Sequence, residues 1–149
     1  MVLRFIKFGW VISLLTSLAT LLYVYAGIPE QVVYSLSDSV ISKGAIPRET
    51  FFYVSLAFLA GMNFLLYALS RNMRYRNKSI NELLRKWQLS LAVVINIFFI
   101  VITNFIFLVN SGESFNFNNF GYLIYVALAL ILIWILALPF LMIRAARKN

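Results

Sequence analysis

Four apolar stretches, each long enough to cross a lipid bilayer, constrain this chain more than any other feature. They run from about Phe8 to Ala26, Phe51 to Ser70, Leu89 to Val109 and Tyr122 to Ile143, and none contains Asp, Glu, Lys or Arg. Crossing about 30 Å of hydrocarbon takes roughly 20 helical residues at ~1.5 Å each. Lipid offers a backbone amide no water to bond, so a spanning segment must satisfy its own polar groups, as a helix does. Runs of this length without period-2 alternation do not read as barrel strands. The expected fold is all-α, an integral membrane four-helix bundle forming one domain over residues 1–149, with outer loops at 27–50 and 110–121 and a basic loop at 71–88. Composition agrees: 62% of residues are hydrophobic and 12% charged, against about half and a quarter in soluble domains.

Charge placement predicts the orientation. Eleven of the 13 Lys and Arg residues lie before the first stretch (Arg4, Lys7), between the second and third (Arg71, Arg74, Arg76, Lys78, Arg85, Lys86) or after the fourth (Arg144, Arg147, Lys148). The opposite loops hold only Lys43 and Arg48, beside Glu30, Asp38, Glu49 and Glu113. Short loops rich in Lys and Arg stay on the cytoplasmic side, so both termini are expected there, in a bacterial inner membrane. Every basic cluster abuts a span, so the net charge of +8 points to membrane lipid and not to nucleic acid. Arg4 and Lys7 followed by an apolar run also fit a signal peptide. That run exceeds the roughly 7–15 residues of an h-region, and the segment is expected to be a retained helix.

Within the spans, small and polar residues mark helix-packing positions. Gly9, Ser13 and Ser17, with Thr20 one step round, form a small-residue stripe on the first span, although Ser13 and Ser17 could instead bond back to their own carbonyls. Ala57 and Gly61 form a similar pair on the second, with Asn63 nearby. On the third, Asn96 and Thr103 share a face and Asn104 sits beside it. Membrane asparagines commonly bond across helices, which predicts contacts between these and Asn63 or the hydroxyls of the first span; contact with a lipid or quinone is the alternative. Trp10 and Trp87 are placed for an interfacial belt, Trp134 lies deeper and should pack against another helix, and Pro139 predicts a kink.

The first outer segment interleaves apolar residues with Ser35, Ser37, Asp38, Ser39 and Ser42. Ile28-Pro29 should end the first helix, Tyr34–Asp38 alternates as a short extended piece would, and Lys43-Gly44 reads as a turn. Pro47 suits the first turn of the second helix, where Glu49 complements the helix end. On the basic side, Ser79 and Glu82 read as a capping box. They open an amphipathic turn with Ile80, Leu83, Leu84 and Trp87 on one face and Lys78, Glu82, Arg85 and Lys86 on the other. This turn should lie at the headgroup boundary and run into the third span. Arg71, Arg74, Arg76, Lys78, Arg85 and Lys86 are the expected contacts to anionic headgroups or a cytoplasmic partner. In the second outer loop, Phe115, Phe117 and Phe120 are expected to dip into the interface.

Reaction chemistry has few handles here. Histidine and cysteine are absent, which removes imidazole and thiolate metal sites, cysteine nucleophiles, the serine triad and the usual haem ligation. No phosphate-binding glycine motif is present, and no span carries the ionisable residue on which a proton-coupled carrier depends. The expectation is a non-enzyme that needs no cofactor.

The residues Ile28-Pro29-Glu30-Gln31-Val32, then Gly44, then Arg48-Glu49-Thr50-Phe51-Phe52 resemble the first extracytoplasmic loop of a family of small bacterial membrane proteins. There the loop commonly reads Leu-Pro, a short apolar stretch, a Gly-containing turn, and a basic residue leading into an aromatic-rich helix. The family includes relatives of the immunity protein against a sporulation-delay toxin. The resemblance implies a multi-spanning protein with a role in signalling or in protection against a membrane-active toxin. It covers residues 28–52, and Ser35, Ser37 and Asp38 stand where the family has His and Asn-Gly. The leading expectation is an accessory subunit packing against other membrane proteins; the alternatives are a sensor or immunity protein using residues 28–46, and a small transporter or channel lined by Asn63, Asn96 and Asn104.

Overall fold

A computed structural model of the chain describes residues 2–33, 44–72, 77–111 and 121–147. Among these residues are four helices, each long and apolar enough to span a membrane: α1 (Val2–Gly27), α2 (Arg48–Asn72), α3 (Lys78–Asn110) and α4 (Tyr122–Ala146). The extended piece expected at Tyr34–Asp38, Lys43 of the expected turn, Arg74, Arg76, Phe115, Phe117 and Phe120 lie outside the described residues.

The helices outrun the apolar stretches because the flanking polar residues join them. Most extended is α3, whose 33 residues cover ~50 Å at ~1.5 Å per residue. The amphipathic turn and the third span are thus one continuous rod. Its N-cap is Asn77, whose side-chain oxygen accepts from the Ile80 amide at 3.2 Å, which corrects the capping box expected at Ser79 and Glu82. Asn accepts an N-terminal amide as well as Ser does, and Glu82 instead faces Lys86 at 3.7 Å. Helix α4 continues through Pro139 to Ala146.

Between α1 and α2 the chain forms a two-stranded antiparallel ribbon, β1 (Gln31–Val33) with β2 (Ala45–Pro47), in the register Gln31↔Pro47, Val32↔Ile46, Val33↔Ala45. Pro47 therefore closes a strand and does not open the helix. Lacking an N–H, it suits the end of a short ribbon as readily as a first helical turn. The Arg48 amide then donates to the Glu30 carbonyl at 2.9 Å, fixing the strand-to-helix step.

Helix α3 is the hub. It packs on α1, α2 and α4, whereas α4 has no comparable contact with α1 or α2. Ala127 is the buried residue of α4. The four-helix bundle of the sequence reading is therefore a three-helix core with a fourth helix laid on one side of α3. Two apolar clusters fill the core. One joins Leu21, Val24, Ile28 and Val32 to Phe51, Leu59 and Phe99, and the other joins Leu66, Leu91 and Ala92 with Trp10, Trp87, Ile95 and Trp134 packed against it. The tight contact at a glycine falls at Gly27, where an added Cβ would lie 2.8 Å from the edge of the Phe107 ring.

Candidate functional site

Between the two apolar clusters lies a layer of polar side chains near the middle of α1, α2 and α3. Leu59 belongs to one cluster and Leu66 to the other, and Asn63 sits between them; Phe99 and Ala92 bracket Asn96 likewise. The Asn63 amide donates to the Leu59 carbonyl and to the Asn96 side-chain oxygen, both at 2.8 Å. In return the Asn96 amide donates to the Asn63 side-chain oxygen at 3.1 Å and to the Ser13 hydroxyl at 2.9 Å. The Trp10 indole N–H also donates to Asn63, at 2.8 Å. The Ser13 hydroxyl donates to the Trp10 carbonyl at 2.9 Å, and Ser17 donates to the carbonyls of Ser13 (2.9 Å) and Asn96 (3.2 Å). Both donors of each asparagine amide are thus satisfied without water. That is what burial demands, since an unpaired polar group in an apolar interior costs about 1–3 kcal/mol.

The sequence-predicted packing residues divide sharply. Ser13, Ser17, Asn63 and Asn96 are brought together, with Ser17 and Asn96 fully buried. Thr103 is buried farther along α3. Among the described residues Gly9, Ala57 and Gly61 make no close approach: Ala57 and Gly61 are exposed, and a Cβ on Gly9 or Gly61 would meet nothing within 4 Å. Asn104 bonds back to the Ile100 carbonyl at 2.8 Å and lines a cavity of about 180 Å³ with Leu123 and Ile124 of α4. It therefore shares no path with Asn63 and Asn96.

Three further groups hold the rest together, of which Trp134 is expected from sequence to pack against another helix. Trp87 donates its indole N–H to the Trp134 carbonyl at 3.0 Å, while Trp134 donates to the Ser90 hydroxyl at 3.1 Å, a reciprocal clasp between α3 and α4. At the far end of α3, Asn110 acts as a strand in miniature. Its side-chain oxygen accepts from the Val33 amide at 2.8 Å and its nitrogen donates to the Val33 carbonyl at 2.9 Å, tying the ribbon to α3. Arg48 places its guanidinium 5.2 Å from the centre of the Tyr25 ring, linking α2 to α1. The particular partners carry no sequence signal, because each depends on which backbone the fold delivers opposite it.

Helices α1 and α2 are pinned together by aromatic pairs, Trp10 stacked on Tyr67 at 5.2 Å and Tyr25 tilted against Phe52 at 4.6 Å. Between these pins they part around a groove of about 410 Å³ lined by Leu14, Leu18, Leu56, Ala60 and Phe64 among others, with Asn63 in its wall and Trp10 and Tyr67 at one end. On the basic side, Arg71, Lys78 and Arg85 are exposed and Lys86 is half-buried. Arg85 and Lys86 line a cleft with Glu82 and the first residues of α1. No family model, curated protein or solved structure matches the chain.

Proposed function

We propose that this is a non-catalytic accessory component of a bacterial inner membrane, held with both termini cytoplasmic, that acts by packing against other integral membrane proteins. One observation carries this reading. The mid-helix polar network lies wholly within α1, α2 and α3, while α4 hangs on the core by one side and turns a bare apolar face outward. Leu132, Ile133, Leu136 and Phe140 are 58%, 62%, 64% and 74% exposed. The exposed Ala57–Gly61 pair on α2 adds a second surface on which a neighbouring helix could approach closely. The basic residues flanking the spans support the orientation. The test is photo-crosslinking in intact cells from probes at Leu132 and Leu136, with Leu22 on α1 as comparison. A discrete protein adduct from α4 and none from Leu22 is expected; lipid adducts alone from all three positions would sink the reading.

The ribbon favours a second reading, that of a sensor or immunity protein using residues 28–46. Asn110, Arg48 and the Glu30 carbonyl fasten both of its strands to the helices, so the segment between them springs from a fixed base. Deleting residues 34–43 should then abolish protection or signalling while insertion persists, and unchanged activity would eliminate this version.

A further inference from the structure

We propose that the α1–α2 groove binds one acyl chain of an anionic phospholipid, whose phosphate is met by Lys7 and Arg71 at the groove's mouth. The groove is open to the side, its walls are aliphatic and aromatic, and its volume of about 410 Å³ lies within the roughly 300–1,000 Å³ of small-ligand sites. Both donors of the Asn63 amide, the polar group at its floor, are already engaged by Leu59 and Asn96. The groove therefore favours a saturated hydrocarbon chain over a quinone or alcohol that brings polar groups needing partners. From Trp10 to Leu18 it extends ~12 Å along α1 at ~1.5 Å per residue, close to the depth of one leaflet of a bilayer with ~30 Å of hydrocarbon.

The charges complete the match. Lys7 stands one turn before Trp10 and on the same helical face as Leu14 and Leu18, by the three- and four-residue spacing of a helix. Arg71 stands one turn after Tyr67, on the face of Asn63 and Tyr67. Because Trp10 stacks on Tyr67, these two cations flank the same end of the groove, one from each wall. Both are exposed, and among the described residues neither has an acidic partner. A tail laid in the groove thus puts its phosphate beside two cations.

Native mass spectrometry of the purified full chain, titrated with phosphatidylglycerol or with phosphatidylcholine of identical chains, tests this. One phosphatidylglycerol should be retained, and phosphatidylcholine about tenfold or more weakly. Lys7→Gln and Arg71→Gln should each lower phosphatidylglycerol retention about fivefold and leave phosphatidylcholine unchanged, while Arg144→Gln, remote in sequence on α4, should do neither. Ala60→Trp, which fills the groove, should reduce retention of both lipids; Leu18→Phe serves the same purpose if the first variant does not fold. Equal retention of the two lipids, an Arg144→Gln effect as large as that of Lys7→Gln, undiminished binding in a folded groove-filled variant, or a lipid-free dimer would each overturn the proposal.

Discussion

The Asn63–Asn96 pair is the residue-scale centre of the molecule. Each amide supplies the other with a donor and an acceptor, so removing one leaves its partner buried with a lost bond. Asn63→Leu and Asn96→Leu should each destabilise the protein by about 1–2 kcal/mol. The double variant should fall short of the sum by about 1 kcal/mol, because both ends of the interaction then leave together. Denaturant unfolding in detergent reads this directly, and strict additivity would show that the two amides act independently. Glycine gives a second contrast. Gly27→Ala puts a methyl 2.8 Å from the edge of the Phe107 ring, which must swing aside at a cost of about 1 kcal/mol, relieved by Phe107→Leu. Gly61→Ala meets open space in a helix interior and should stabilise by about 0.5–1 kcal/mol. The reverse order of melting temperatures would mean that the tight contact lies on α2.

At the scale of elements, the ends of α3 govern what attaches to it. Asn110→Leu would strip the Val33 amide and carbonyl of their partners and loosen the ribbon while α1–α3 stay packed. Hydrogen exchange at Val33 should accelerate by about tenfold or more, corresponding to the loss of about 1.4 kcal/mol or more of local protection, and unchanged exchange would show the ribbon to be self-supporting. Element positions were largely legible in the sequence, because charge-free runs of this length have one solution in lipid. The pairing of Asn96 with Asn63 and Ser13 was among the contacts anticipated, since a buried amide must find another polar group. What could not be read depended on tertiary placement: that Asn110 meets a strand, that Trp134 meets Ser90, that Gly27 and not Gly9 or Gly61 meets a neighbour. Pro47 and Ser79 misled for a related reason, each being compatible with two local structures that only the neighbouring chain distinguishes.

For the whole molecule, the hub arrangement separates stability from attachment. Helices α1 to α3 share two apolar clusters and the polar layer between them, whereas α4 contributes the Trp134 clasp and little burial. The basic flanks predict where the ends lie: reporter fusions at Asn149 should be active with a cytoplasmic enzyme, and fusions near Ser39 with one that works only outside. The opposite pattern would invert the whole assignment. The amides and hydroxyls that lock the centre of the core carry no net charge. A voltage across the membrane does about 2.3 kcal/mol of work per elementary charge per 100 mV, and in this layer it finds nothing to move. The interlock should therefore hold the same shape in an energised cell and a de-energised one.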